Sequence, residues 1–248
     1  AITSRSVLWA QRLAHGTLHF TGCSRHLIAS YAGNGSWHVV YNGVPLPKES
    51  ESKIDKKPFG AGQLLLCVAR VSRWKRHDIV LDVFRDLAER FPDLHLALAG
   101  GADPDDEEWW HRIQRLSLEH PAAGRIHWLG MADELSAWYR ASDVLLLASE
   151  REPFGRVLIE AMAHGLPVVA SRGGGVPEIV EDGRQGFLPE PGDVEGMTKA
   201  VRQLLSDPEL QKRMGKLGVK RARLFSLEAH VEGVRGVYDR VLKPKDAR

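Results

Sequence analysis

From residue 63 onward, short apolar segments alternate with longer segments in which apolar residues recur at helical spacing. The longer segments, 79–91, 105–120, 134–142 and 156–165, predict helices with one apolar face. The short segments are continuously apolar, which is typical of strands whose two faces are both covered. They are LLLCVA (64–69), LHLALAG (94–100), RIHWLG (125–130), DVLLLAS (143–149), PVVAS (167–171) and GFL (186–188). This alternation predicts an α/β fold with a doubly wound parallel sheet.

The chain outside that sheet divides into three further parts. Residues 1–45 contain two strand-like segments and one helix-like segment, too few to bury a core alone, so we expect the tail of another α/β domain. Residues 46–62 are polar and bounded by prolines and glycines, which predicts a linker. The complete domain then covers 63–225, and a C-terminal helix covers 226–248. The elements predicted in these parts are strands at 16–24 and 37–44, and helices at 24–33, 207–225 and 226–242.

Composition and charge narrow the classes of partner. The net charge is +2 over 248 residues and the cations are spread along the chain, which gives little support for a nucleic-acid surface. The longest apolar runs, such as 144–148, are too short to span a bilayer, and the first residues do not resemble a secretory leader. Peripheral contact with a membrane stays open. Cys23 and Cys67 form no motif, so we expect reduced core thiols and a cytoplasmic protein.

The segment EPFGRVLIE (152–160) carries the strongest candidate chemistry. It follows a predicted strand, and ligands of such sheets bind beyond the carboxyl ends of the strands. A helix that begins near Arg156 leaves the N–H groups of 155–158 without intrahelical partners, which favours an anion. Glu152 and Glu160 can accept hydrogen bonds from hydroxyl groups. A surface position is a weak interpretation of Glu160, because its helix is otherwise apolar and an unpaired buried acid is costly. The segment therefore predicts a site for a polyhydroxylated ligand that carries phosphate.

Cations follow the first strand of the predicted sheet, in the segment ARVSRWKRHD. Arg70 and Lys75 would reach the same sheet edge and counter the charge of a diphosphate. Arg73 and Arg76 are interpreted instead as part of a basic loop that faces water, which is the usual environment of a charge run.

Glycines and aromatic residues give weaker signals. The three glycines at 173–175 permit a close approach of backbone to a ligand. Trp74 is kept as a candidate contact, whereas Trp109 and Trp110 are interpreted as packing residues of an amphipathic helix. Eleven histidines are scattered without metal-ligand spacing, so we expect no metal and no cofactor.

The run EPFGRVLIEAMAHGLPVVASRGGGVPEIVEDGRQGFLPEPGD (152–193) resembles the C-terminal donor-binding domain of retaining glycosyltransferase family 4, the group 1 glycosyltransferases. The likeness extends through VARVSRWKRHD, LALAGG and LSAWYRASDVLLLAS, and it covers residues 37–225. It implies the GT-B architecture with a Rossmann-like donor domain. The implied reaction transfers a sugar from a nucleoside-diphosphate sugar, such as a UDP-sugar or GDP-sugar, to an unidentified acceptor in carbohydrate biosynthesis.

The resemblance implies a role for each candidate residue. Arg70 and Lys75 would bind the donor diphosphate and Glu152 the hydroxyls of the transferred sugar, so these three form the predicted catalytic set. Glu160 would bind the ribose hydroxyls. The remaining donor-binding residues would be Phe154, Gly155, Arg156, Val157 and Leu158, through their backbone, and Gly130 and Met131, near the nucleobase.

The chain departs from the family pattern in three ways. Members of the family carry a complete N-terminal domain that supplies most of the acceptor site, whereas here only its last elements are expected, within 1–45. We therefore expect the isolated chain to be inactive without that acceptor domain or a partner chain. Ala148 stands where a proline is common, and Ala69 where a glycine is common; both changes leave the polar groups in place.

Three alternative functions stay open on the sequence. The chain could be a non-catalytic module that binds nucleotide sugar and needs a partner chain for turnover. It could be a glycoside hydrolase that uses Glu152 and Glu160 as acid and base. It could also be a sugar-nucleotide epimerase on the same architecture, although the spacing of the two glutamates favours transfer.

Overall fold

A computed structural model describes residues 19–30, 36–47, 59–60, 62–132 and 134–242. The first described elements are strand β1 (His19–Gly22), helix α1 (Arg25–Ser30) and strand β2 (Ser36–Val39). β1 and β2 pair in parallel and form a two-stranded sheet. The predicted strand–helix–strand order is thus present in the described residues of this part. The predicted linker lies largely outside the described residues, and the predicted domain boundaries stay a prediction.

A six-stranded parallel sheet forms the centre of the molecule. The spatial order of its strands is β5-β4-β3-β6-β7-β8, so the chain first builds outward in one direction and then in the other. This confirms the predicted doubly wound α/β fold. The strands are β3 (Leu64–Val68), β4 (His95–Ala99), β5 (Ile126–Gly130), β6 (Val144–Leu147), β7 (Val168–Ala170) and β8 (Gly186–Phe187).

Helices cover both faces of this sheet, which is why its strands are apolar on every side. Side chains on alternate positions of β3 enter different cores: Leu65 and Cys67 pack in one, Leu64 and Leu66 in the other. The helices are α2 (His77–Arg90), α3 (Glu107–Leu118), α4 (Ser136–Ala141), α5 (Arg156–Ala163), α6 (Val176–Ile179), α7 (Val194–Ser206), α8 (Pro208–Ala222) and α9 (Leu227–Leu242). Helices α2, α3 and α7 contribute to the first core, and α4, α5 and α6 to the second.

The strand order reverses between β3 and β6, which pair directly through Leu65 with Val144 and Leu66 with Leu145. At such a reversal the loops that follow the two strands run in opposite directions and leave a crevice between them. Here those loops are 69–76 and 148–155. They contain the cations and the acidic segment that the sequence singled out.

The residues that precede the sheet pack against its body. The Val44 N–H donates to the Phe225 carbonyl at 2.9 Å, and the Tyr41 ring meets the Phe225 ring edge-on at 5.3 Å between centroids. His230 of α9 hydrogen-bonds the Tyr41 carbonyl at 2.7 Å. Residues 41–44 therefore pack against 225–230, around the start of α9.

Two further predictions concern membrane-spanning segments and the state of the cysteines. Within the described ranges, no helix has both the length and the apolarity that crossing a bilayer requires. Cys67 is buried in β3, and burial raises the pKa of its thiol to about 12. Cys23 is half-buried, and both cysteines are free thiols.

Candidate active site

A cavity of about 520 Å³ opens at the carboxyl ends of β3 and β6. It brings together five of the residues predicted from the sequence, and Trp74 and Gly100 border the same space. The predicted residues that line it are Arg70, Lys75, Met131, Glu152 and Val157. The order of the strands thus places Arg70, Met131 and Glu152 on one edge of one sheet.

The closest polar contact in the cavity joins its two loops. The Lys75 ammonium lies 2.6 Å from the Glu152 Oε2 atom, and the two side chains are only 12% and 10% exposed. Lys75 Nζ also lies 4.0 Å from the centroid of the Trp74 ring, so the indole face contributes to holding the cation. A shielded cation and a shielded carboxylate are therefore fixed side by side at the floor of the cavity.

Arg70 lies at the exposed rim. Its side chain is 59% exposed, and its Nη1 atom is 3.6 Å from the Asp103 carboxylate. An exposed guanidinium with one distant ion-pair partner can turn toward an incoming anion at little cost. Met131 is 76% exposed, and Gly130 ends β5, where its carbonyl accepts from the Gly100 N–H at 2.8 Å.

Helix α5 begins at the mouth of the cavity. Gly155 precedes it with a φ of 97°, a left-handed conformation that turns the chain into the helix and that side chains resist. The Leu158 N–H donates to the Gly155 carbonyl at 3.0 Å, so the prediction of four unpaired N–H groups is wrong at Leu158. For Gly155, Arg156 and Val157, the described part of the chain offers no hydrogen-bond acceptor to the N–H group. Three donors at a positive helix end remain for an anion.

Side chains of the same segment have separate tasks. Phe154 and Leu158 are buried in the core, and neither lines the cavity. The Arg156 side chain is 56% exposed, and its Nη2 atom lies 3.7 Å from the Glu160 Oε1 atom. The segment thus anchors itself with apolar side chains and presents polar backbone.

Glu160 is held by a buried tyrosine. The Tyr139 hydroxyl, on α4, donates to the Glu160 Oε2 atom at 2.9 Å. Burial raises the pKa of Tyr139 well above its usual range, and the Glu160 charge adds to that effect. The half-buried carboxylate therefore has the partner that its apolar helix requires, while its second oxygen has only the distant Arg156 guanidinium.

The three glycines at 173–175 contact protein backbone. The Gly175 N–H donates to the Glu152 carbonyl at 2.7 Å. A Cβ atom at Gly174 would overlap that same carbonyl oxygen, and one at Gly173 would overlap the Glu150 carbonyl. The expected close approach is therefore made to the loop that carries Glu152.

Arg73 and Arg76 differ in their surroundings. Arg73 is 58% exposed and pairs with Asp106 and Glu108, as expected for a solvated loop. Arg76 is only 28% exposed and pairs with Asp78 and with Glu150. The interpretation of Arg76 as a residue that merely faces water is thus wrong, because two carboxylates enclose its guanidinium.

Residues that precede the sheet support the site, and the sequence did not reveal them. The Ser24 hydroxyl donates to the Pro153 carbonyl at 2.8 Å, and the Tyr41 ring stacks on Phe154 at 5.9 Å between centroids. Burial raises the pKa of the Tyr41 hydroxyl, with a further contribution from the Glu178 charge. Serine at the start of a helix was the available signal, but a contact across 129 positions has no local pattern.

Glu178, in the first turn of α6, reaches across to α1. Its two carboxylate oxygens accept from the N–H groups of Arg25 and His26, each at 3.0 Å, and from the Tyr41 hydroxyl at 3.1 Å. A carboxylate is favourable at the positive end of a helix. Glu178 therefore ties the first described helix to the sheet domain.

Metal ligation finds little support in the described ranges, where no cluster of three or more histidine, cysteine, aspartate or glutamate side chains could hold an ion. His77 is buried, and burial lowers its pKa to about 4, so this histidine is neutral at physiological pH.

Comparison with known proteins places this geometry in a family. A family model described as "Glycosyl transferases group 1" matches residues 49–221, more than half of the chain. N-acetyl-alpha-D-glucosaminyl L-malate synthase of Bacillus anthracis is 35% identical over 162 residues, which are 64% of this chain and 41% of that protein. Sulfoquinovosyl transferase SQD2 of Arabidopsis thaliana is 34% identical over 160 residues, 62% of this chain and 30% of that protein. The chain thus spans less than half the length of either relative.

Solved structures agree on the fold. Anabaena HepE in complex with UDP and glucose superimposes with a TM-score of 0.83 at 24% identity, over 97% of this chain and 67% of that one. Sucrose-phosphate synthase of Thermosynechococcus elongatus superimposes with a TM-score of 0.79 at 26% identity, over 96% of this chain and 62% of that one.

Proposed function

The chain belongs to the group 1 glycosyltransferases, and we propose that it is the donor-binding half of a retaining enzyme of family 4. Its ligand would be a nucleoside-diphosphate sugar, bound across the ends of β3 and β6. The similarity to Anabaena HepE, which was solved with UDP and with UDP-glucose, supports a uridine nucleotide as the first donor to test.

One observation carries the proposal: the cavity joins a shielded cation to a shielded carboxylate next to a helix N-terminus. A diphosphate needs positive charge, which Lys75, Arg70 and the free N–H groups of α5 would supply. A sugar needs hydrogen-bond acceptors for its hydroxyls, which Glu152 would supply. Both requirements are met within one space of about 520 Å³, a size suited to a small organic ligand.

Transfer requires that negative charge build up on the leaving diphosphate. We propose that Lys75 and Arg70 counter this charge, together with the start of α5, and that no metal ion takes part. Fixed groups of this kind act without reorganisation during the reaction, which is the usual source of electrostatic catalysis. Glu152 would orient the transferred sugar, and Glu160 the ribose.

The acceptor would approach from the side of the cavity that faces away from the sheet. The described residues that line the cavity lie in loops, strand ends and the first turn of α5, so the opposite wall is proposed to come from a second domain or a partner chain. The curated relatives are at least twice as long as their match to this chain, which supports that arrangement.

Titration calorimetry of the 248-residue chain with UDP, UDP-glucose, GDP and GDP-mannose tests donor binding. We expect one nucleotide class to bind and Lys75→Ala to weaken it by about tenfold to a hundredfold, because a shielded ionic contact to diphosphate is lost. Glu160→Ala should weaken it by about tenfold. Addition of EDTA should leave the wild-type affinity unchanged.

Lys220→Ala is the matched control, since Lys220 lies on the exposed face of α8. Unchanged affinity in both site variants would refute the site assignment, and a requirement for divalent metal would refute the metal-free chemistry.

A further inference from the structure

A backbone strain marks the loop that carries Lys75. Among the described residues other than glycine, only Arg76 has a positive φ, at 53°. An L-residue pays for that left-handed conformation, and glycine adopts it freely. Arg76, the residue that precedes α2, is therefore one whose backbone would favour glycine. A residue other than glycine in such a conformation is expected to have a structural or functional role.

The Arg76 guanidinium joins two separate parts of the site. Its Nε and Nη2 atoms donate to the Asp78 carboxylate at 2.9–3.2 Å, which fixes the side chain against the first turn of α2. Its Nη1 atom donates to the Glu150 Oε1 atom at 2.9 Å, across 74 positions of sequence. These two carboxylates raise the pKa of Arg76, with the Asp78 hydrogen bond contributing most.

This contact is one of three that join the same two loops. The Glu150 N–H donates to the Trp74 carbonyl at 2.9 Å. Next to it the Lys75 ammonium meets the Glu152 carboxylate, and Arg76 meets the Glu150 carboxylate. Three successive residues of the first loop thus contact two residues of the second: Trp74 and Arg76 both bind Glu150, and Lys75 binds Glu152.

We propose that Arg76 is a positioning residue for the donor site: it ties the 74–76 turn to the 150–152 loop and so sets where the Lys75 ammonium lies. Glu150 and Asp78 are its anchors. A glycine at position 76 would adopt this backbone freely but would lack the guanidinium. The turn that carries Lys75 would then be joined to the second loop by two contacts instead of three, those of the Trp74 carbonyl and of Lys75 itself. This inference rests on the proposed function, since it assigns Arg76 a role in the binding of diphosphate through Lys75.

The test uses Arg76→Asn in the full chain, titrated with UDP and with GDP. Asparagine tolerates a positive φ better than other side chains, so the turn is kept while the guanidinium is lost. We expect affinity for the bound nucleotide to fall by about threefold to tenfold, the range of a partly exposed ion pair that orients a ligand contact. Glu150→Gln should produce a loss of the same size, and the double variant no more than either single one.

A second comparison separates positioning from general support. If Arg76 acts through Lys75, then Arg76→Asn should cause no further loss in a Lys75→Ala background, because neighbours in one network are not additive. A purely structural role would lower affinity by the same factor in both backgrounds. Arg85→Asn is the matched control: Arg85 lies within α2, and among the described residues its ion pair is with Asp82, three positions away.

Each outcome decides the matter. Unchanged affinity in Arg76→Asn, or additive losses with Lys75→Ala, overturns the inference while the donor site stands. If Arg76→Asn fails to fold, Glu150→Gln carries the test, because Glu150 is about half exposed and its removal leaves the backbone of α2 intact. A wild-type chain that binds neither nucleotide overturns the proposed function, and this inference falls with it.

Discussion

The side chains that hold the candidate site lie one layer behind the cavity. Tyr139 is the clearest case, since it is 2% exposed and its hydroxyl donates a hydrogen bond to one oxygen of Glu160. Its raised pKa keeps the hydroxyl protonated, so it remains a donor throughout the neutral range. The Glu160 carboxylate is thereby oriented by a buried residue, and neither side chain lines the cavity.

Tyr139→Phe should remove that donor and leave the shape of the core unchanged. We expect the free energy of unfolding to fall by about 1–2 kcal/mol, because a hydrogen bond to a charged, half-buried group is lost. Affinity for the nucleotide should also fall, by about threefold to tenfold, since Glu160 is no longer fixed. Denaturant titration and calorimetry measure the two effects.

Tyr238→Phe controls for the chemistry of the change, since the Tyr238 side chain is 61% exposed on α9. If Tyr139→Phe lowered stability and left affinity intact, Tyr139 would support the core alone and Glu160 would not depend on it.

At the scale of elements, the loops that form the site pack closely because glycines leave room for the backbone of the neighbouring loop. The Gly174 backbone has a φ of 62° and lies against the Glu152 carbonyl, and the Gly175 N–H bonds that same carbonyl. The loop after β7 therefore supports the loop after β6 from behind. Helix α5 in turn is held by Phe154 and Leu158 in the core. The position of the Glu152 carboxylate is therefore set by the contacts that the Glu152 backbone makes with the loop after β7.

Gly174→Ala tests this support. A methyl group would meet the Glu152 carbonyl and the left-handed backbone would be strained, so we expect a loss of roughly 2 kcal/mol or more in stability. Nucleotide affinity should fall as well, because Glu152 is displaced. Gly236→Ala is the matched control. It lies in α9 with no atom near a new Cβ, and it should stabilise the helix by about 0.5–1 kcal/mol. Equal affinities in both variants would contradict the role of Gly174.

At the scale of the whole molecule, residues that precede the sheet meet α6, Phe225 and the loop that carries Glu152. Tyr41 stacks on Phe154 and meets Phe225 edge-on, and its hydroxyl bonds Glu178. Ser24 adds a hydrogen bond to the Pro153 carbonyl. These contacts link the small two-stranded sheet to the loop that presents Glu152, so the two parts should unfold as one cooperative unit.

Tyr41→Ala should disturb both parts at once. We expect a loss of about 2–3 kcal/mol in stability from the missing aromatic contacts. Hydrogen exchange should speed up at α1 and at 154–155 together, because Tyr41 stacks on Phe154 and its hydroxyl binds the Glu178 carboxylate that holds the first N–H groups of α1. Val231→Ala, a truncation of a 58% exposed side chain on α9, is the control. Faster exchange at α1 alone would show that the two parts are uncoupled.

Part of this picture was predictable and part was not. Strands β3 to β8 were all predicted, because each is a continuous apolar run bounded by turns. Helix α7 was not among the predicted helices, although Met197, Val201 and Leu204 are buried on one face. The cations at 70 and 75 and the acids at 152 and 160 were predicted as a set from their places at strand and helix ends.

The sequence by itself determined the doubly wound sheet and the family, and it predicted the residues of the candidate site, because apolar periodicity and short motifs are local properties of a chain. Only the tertiary structure decided which of them meet: Lys75 with Glu152, Tyr139 with Glu160, and Arg76 with Glu150. Those pairs are 77, 21 and 74 positions apart, so they depend on the reversal of strand order and on helix packing. Such contacts leave no periodic signal, since either partner alone looks like an ordinary polar residue of a loop or helix.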